Sequence, residues 1–166
     1  MRKTSVMVIN TTPIIALTAA LGDLQILASL YQQVIVPYEV CQEIMAGGKQ
    51  GFAVAEFEAA TFLKKWQTPV PISPFLSNSL DRGEAAVIQL ALTENISTVC
   101  IDEAAGRRVA RLYELSLTGT LGILIRAQRE DYPVNISQAI ERMRNNGIWL
   151  SERVVRMALE QAHKFP

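Results

Sequence analysis

Histidine is nearly missing from this chain: its 166 residues include one, His163, close to the C-terminal end. A fraying terminus is a poor place for a proton shuttle, so hydrolase mechanisms that pair Ser or Cys with His lack their base. Cysteine is equally scarce. Cys41 and Cys100 lie inside apolar segments without CxxC spacing, which speaks against a disulfide framework or zinc site and for buried thiols in a reducing compartment. Net charge is absent too, because 16 basic residues cancel 16 acidic ones. No global field draws in nucleic acid or an anionic membrane, so any phosphate contact must come from a local patch. No apolar run reaches the roughly eighteen residues of a membrane-spanning helix. The opening Arg2, Lys3 and apolar stretch is interrupted by Asn10, Thr11, Thr12 and Pro13 before a signal-peptide core is complete, so a cytoplasmic location is expected. Internal repeats and low-complexity tracts are lacking as well.

What is present is 49% hydrophobic, enough for one sizeable core in a chain too short for two ordinary domains. A single domain over residues 1–166 is expected, with helices closing it over 137–166. Short β-branched runs alternate with longer helical ones, the pattern of an α/β fold with a parallel sheet. Strands are predicted at Val6–Ile9, Gln33–Val36, Thr98–Ile101 and Leu115–Leu117. Thr12 then Pro13 reads as an N-cap and first helical position, opening a helix to about Leu21. Further helices are predicted at Leu24–Leu30, Tyr38–Met45, Phe52–Trp66, Asp81–Glu94 and Ala104–Glu114, the last burying Ala105, Val109 and Leu112. Gly47 to Gly51 reads as a mobile loop, and Pro69, Pro71 and Pro74 as an extended connector. After Thr118, Gly119 and Thr120 a helix runs to about Arg129, and the last two, Ser137–Asn145 and Ser151–His163, each have a serine placed to cap them.

Asn10 and Asp102 each follow a strand, and the crevice beyond the carboxyl ends of parallel strands is where such a sheet binds ligands. Glu43 and Glu84 fall on helices. Glu84 shares a helical face with Val87, Ile88 and Ala91, the stripe that packs on the sheet, so it is either a buried ligand needing a partner or a first-turn acid favoured by the helix dipole. Glu43 has two readings, a solvated acid or a ligand, and Asp102 is a helix cap, a ligand, or both. Glu103 is the second acid of a strand-end pair, a position that often faces solvent. Arg107 and Arg111, one turn apart, and Lys49 in the glycine loop are local candidates for a phosphate contact. That loop lacks the Lys-Ser/Thr ending of a P-loop, which excludes nucleotide binding of that kind. Trp66 and Trp149 read as core or interface aromatics, with base stacking the minor alternative.

Several blocks carry a family resemblance. They are Val8 to Ile15; Val36, Pro37, Val40 and Glu43; Leu80, Asp81, Gly83 to Ala86, Ile88, Leu90 and Ala91; Ile101 to Glu103 with Arg107 and Ala110; and Thr118 to Gly122. In that order, over roughly residues 6–127, the chain resembles PIN-domain proteins of the VapC-like toxin ribonuclease type. The resemblance implies a three-layer α/β/α fold with a central parallel sheet of four to five strands. It also implies cleavage of single-stranded RNA with Mg²⁺ or Mn²⁺, a cognate antitoxin protein and a homodimer. By position, Asp102, Glu84 and Glu43 are the expected catalytic acids, and with Asn10 and Glu103 the expected metal ligands. Thr11, Thr12, Arg107, Arg111, Lys49 and Thr118 are the expected substrate contacts. Asn10 is neutral where the family normally has Asp, and Thr118, Gly119 and Thr120 stand where many relatives carry a further acid. The alternative is a degenerate PIN domain serving as an RNA-binding or protein-interaction module. A haloacid dehalogenase-type phosphatase needs Asp-x-Asp after the first strand, which Asn10, Thr11 and Thr12 do not supply.

Overall fold

Apolar β-branched runs bounded by polar turns become the strands of one sheet. In the computed structural model, which describes residues 3–47 and 51–164, they are β1 (Thr4–Ile9), β2 (Tyr31–Val36), β3 (Lys64–Lys65), β4 (Thr98–Cys100) and β5 (Ser116–Thr118). All pair in parallel, in the order β3-β2-β1-β4-β5. Parallel strands need long crossovers, and helices supply them. These are α1 (Thr11–Leu21), α2 (Gln25–Leu30), α3 (Tyr38–Met45), α4 (Val54–Ala59), α5 (Pro74–Ser79), α6 (Arg82–Thr93), α7 (Ala104–Leu112) and α8 (Thr120–Arg129), followed by α9 (Ile136–Asn145) and α10 (Glu152–Lys164). The result is the expected three-layer α/β/α architecture with five strands. Met7, Val8 and Ile9 of the central strand are wholly buried, as a strand covered on both faces requires. Ile140 and Met143 of α9 and Val155 of α10 join the same core.

The chain leaves β1 toward β2 on one side and later returns at β4 on the other. The order therefore reverses between β1 and β4, and a ligand crevice belongs at their carboxyl ends. The Asn10 amide donates to the Cys100 carbonyl at 3.0 Å, holding the two strand ends side by side.

Four segments depart from the sequence reading. The helix expected over 52–66 stops at Ala59, because the chain turns back to pair Lys64 with Ile35 and Lys65 with Val36. Lys65 Nζ donates to the Phe57 carbonyl at 2.9 Å and covers its ring, closing the end of α4. Pro74 starts α5 rather than extending a connector, with Ser73 as its N-cap. Asn135 rather than Ser137 caps α9, while Ser151 Oγ does accept from Val154 N at the start of α10. On α7 the buried residues are Gly106, Val109 and Ala110, and Leu112 is 70% exposed. Of the two tryptophans read as core or interface aromatics, Trp149 is 84% exposed and so lies outside the core, whereas Trp66 is half-buried. Residues 48–50 of the glycine loop lie outside the described residues.

Cys100 is buried and Cys41 half-buried, neither in a disulfide, and burial pushes both thiols up, Cys41 to about 11. Both stay neutral and unreactive at ordinary pH. Among the described residues, no helix is long and apolar enough to cross a membrane.

Glu39 on α3 is buried and accepts from the Val70 amide at 2.9 Å, fastening the chain after β3. Its other oxygen has no hydrogen-bond partner. Glu39→Ala would strand the Val70 amide, so we expect a loss of about 2 kcal/mol in urea unfolding, a usual cost for an unpaired buried donor.

Candidate metal centre

Asn10 occupies the N-cap position of α1, where its amide would ordinarily accept from the first turn, yet it makes no such bond. Its side chain turns to the crevice instead. Nδ2 donates to Glu103 Oε2 at 3.4 Å, and Oδ1 is buried without a partner. The reason Oδ1 has room lies on α6. A Cβ on Gly83 would sit 3.2 Å from Asn10 Oδ1 and 3.3 Å from Glu43 Oε2, so the glycine leaves a gap between the two.

Glu84 enters from the first turn of α6 and is 5% exposed. Asp81 caps that helix, accepting from the Glu84 amide at 2.8 Å. Gly106 of α7 faces the Glu84 carboxylate at a distance no side chain would permit: its Cβ would meet Oε2 at 2.8 Å. Burial, then a side-chain hydrogen bond with Asp81 that favours the protonated acid, and then the negative charges of Asp81, Glu103 and Glu43, push Glu84 from its ordinary 4.5 up to about 8.

Three threonines hold the remaining acids. Thr11 Oγ1 donates to Glu43 and Thr12 Oγ1 to Glu103. Asp102 receives both the amide of Thr120 at 2.8 Å and its hydroxyl at 2.6 Å. Asp102 therefore binds the first residue of α8, whose N-cap is Gly119, and does not cap the helix at Ala104 as its sequence position suggested; the N-cap of α7 is Glu103. Burial raises the Asp102 carboxyl, against the lowering effect of the Thr120 bonds.

Asn10, Glu43, Glu84 and Glu103 thus share the crevice, with Asp102 at its edge turned toward α8. Among the described residues, no three His, Cys, Asp or Glu side chains converge tightly enough to hold an ion as they stand. The chemistry of the set nonetheless fits a hard divalent cation: carboxylate oxygens plus one buried, unpaired amide oxygen beside a glycine gap. Thr11 and Thr12, expected to meet substrate, are bonded to Glu43 and Glu103. Arg107 donates from Nη1 to the Ile101 carbonyl at 2.8 Å and the Thr118 carbonyl at 3.3 Å, tying the ends of β4 and β5. Arg107 and Thr118 both line a cavity of about 770 Å³ that also reaches Thr12, Asp102 and Glu103. Arg111 is exposed a turn farther along α7, and Lys49 lies outside the described residues. Sequence reasoning overlooked the Thr120 tether, the Asp81 cap and the glycines facing carboxylates. Only Asp81 announced itself, as an acid three residues before Glu84.

An acid with a raised pKa favours the folded state while protonated. With chelator present, the Glu84 contribution is complete below about pH 4.5 and fades as pH rises toward 8. We expect wild-type protein to lose about 2 kcal/mol over that window from this group, seen as a falling Tm that Glu84→Gln flattens.

A family model described as a PIN domain matches residues 6–164, while searches among curated proteins and among solved structures found no match. PIN domains are in general nucleases and typically use divalent metal ions. With that match running from β1 through α10 and enclosing the whole acidic crevice, the chain belongs to the PIN-domain family.

Proposed function

We propose that the protein is a metal-dependent endoribonuclease acting on single-stranded RNA, the VapC-like toxin of a toxin–antitoxin pair. The observation that carries the reading is the gathering of Asn10, Glu43, Glu84 and Glu103 at the switch point of the sheet, with Asn10 Oδ1 buried and unpaired. Those four would hold Mg²⁺ or Mn²⁺, with Asp102 completing the site from the α8 side. Bound there, such an ion would supply water activation and charge neutralisation at the scissile phosphate. The chain does the rest. Thr11 and Thr12 orient Glu43 and Glu103, Thr120 orients Asp102, and Arg107 braces the strand ends that carry Ile101 and Thr118. An unpaired strand is the suitable substrate because its phosphates and bases reach a cleft that an A-form duplex withholds.

The toxin reading brings a cognate antitoxin, a homodimer and a reducing cytoplasm. Unpaired Cys41 and Cys100 suit that compartment, and exposed Leu112 and Phe75 are apolar surface for a partner to cover. Light scattering of the purified chain checks the dimer.

The test is cleavage of unstructured RNA with Mn²⁺ or Mg²⁺ against a chelator control, beside Mn²⁺ titration by calorimetry of wild type and Asp102→Asn. Cleavage that depends on the ion and weakens in the variant is expected. An RNA left intact under every metal, with both proteins behaving alike, would sink the proposal. A second reading, a PIN domain that binds RNA or protein without cutting, is favoured by the neutral Asn10 and by the engagement of both Asp102 oxygens with Thr120. Asn10→Asp separates them: an active site limited by this position gains at least about tenfold in Mn²⁺ affinity, since hard cations favour charged oxygen, and a pure binding module stays inert.

A further inference from the structure

The cavity beside the acids has a second end that the proposed chemistry does not use. Besides Asp102 and Glu103, its lining includes Leu117 and Leu121 and, from the segment joining α9 to α10 and the first turn of α10, Ile148, Trp149, Leu150 and Val154. Trp149 is 84% exposed, although it stands in a segment whose neighbours Ile148 and Leu150 pack on the core. A large aromatic left open at the rim of an apolar groove has no folding role to explain it.

We infer that this groove is a base-binding subsite, in which Trp149 stacks an unpaired nucleobase of the strand whose phosphate lies at the acids. The inference rests on the nuclease reading of the acidic crevice. Three observations select a nucleobase as occupant. The groove is continuous with the acid cluster through Asp102 and Glu103, so a strand crossing one enters the other. Its volume of about 770 Å³ is in the range of small-molecule sites and admits more than a single ring. Arg107 lines it, and two of the helices that contribute to its wall, α7 through Ala104 and Arg107 and α10 through Val154, carry exposed Arg108, Arg111, Arg153 and Arg156 outside the lining, a local excess of basic over acidic side chains (Glu152 and Glu160 on α10) on a chain of zero net charge. Aromatic stacking beside a basic track is the general means of holding single strands without reading their sequence.

The test uses full-length protein in chelator, so that RNA binds without being cut. Labelled homopolymers of about eight nucleotides are titrated by anisotropy, and Trp149 emission is followed in a Trp66→Phe background. Expected are quenching of Trp149 by RNA, roughly tenfold weaker binding in Trp149→Ala, rescue by Trp149→Phe, and weak binding of an abasic oligomer. If Trp149→Ala binds as wild type does, or the emission does not move, the groove is a docking face for protein and the inference falls, whether or not RNA is cleaved. Quenching without cleavage under any metal would keep the subsite and overturn the nuclease reading instead.

Discussion

Glu84→Gln is expected to abolish RNA cleavage while making the metal-free protein more stable at pH 8. The two effects have one cause. The Glu84 carboxylate is 5% exposed and crowded by Asp81, Glu103 and Glu43, so its ionised form strains the fold. An amide of the same shape removes that charge, and the gain at pH 8 is about 2 kcal/mol, vanishing below about pH 4.5 where the wild-type acid is already protonated. If Glu84 is one of the ligands of the proposed ion, losing its charged oxygen costs more in function. Second-layer partners of metal ligands cost about 10–100-fold in affinity or activity, so a direct ligand should cost at least about 100-fold. Thermal melts in chelator at pH 5 and pH 8, beside cleavage with Mn²⁺, check both. A variant less stable than wild type at pH 8, or one that cleaves normally, contradicts this account of the position. Opposite signs of stability and activity at one residue are the mark of a site kept strained for function.

Gly106→Val is the second large effect, and it runs the other way on stability. A Cβ there would meet Glu84 Oε2 at 2.8 Å and Ile101 Cγ2 at 2.8 Å. Ile101 is fully buried at the end of β4 and cannot yield easily. Overpacking of this kind costs about 3 kcal/mol when the added group is branched, and relief would come partly by pushing Glu84 out of the crevice. Denaturant unfolding should therefore show a lowered midpoint with the slope unchanged, and Mn²⁺ affinity should fall with it. Ala105→Val, one residue earlier on the exposed side of α7, is the control and should lie within about 0.5 kcal/mol of wild type. Equal behaviour of the two variants would mean that Gly106 is not the point of close approach.

Gly106 also shows where reading the chain fails. Spacing in α7 favoured Ala105, Val109 and Leu112 as the buried side, because leucine outweighs glycine on any hydrophobic scale. The helix is instead rotated to bring Gly106, Val109 and Ala110 inward, since only a residue without a side chain lets α7 close over Glu84. Leu112 is left outside as the consequence. The Phe52–Trp66 stretch failed for a different reason. Nothing local distinguishes Lys64 and Lys65 from helix, and the edge of β2 recruits them as a strand. At α5 the information was present, since Ser73 before Pro74 is an N-cap followed by a first-turn proline, but three prolines in six residues drew the reading toward an extended connector.

The sequence by itself determined the alternation of strands and helices, through β-branched runs and helical apolar periods, and with it the parallel sheet. It also determined that Asn10 and Asp102 each stand at the carboxyl end of a strand and that Glu43 and Glu84 stand on helices, because these follow from where each element stops. Tertiary structure alone decided which hydroxyl holds which acid. Thr11 and Glu43, Thr12 and Glu103, and Thr120 and Asp102 lie 32, 91 and 18 residues apart, so no local preference couples them. It likewise decided that Trp149 opens a groove beside the acids rather than filling the core. Hydrophobic pattern acts residue by residue along the chain, whereas these contacts depend on strand order and helix rotation, which only the packed sheet sets.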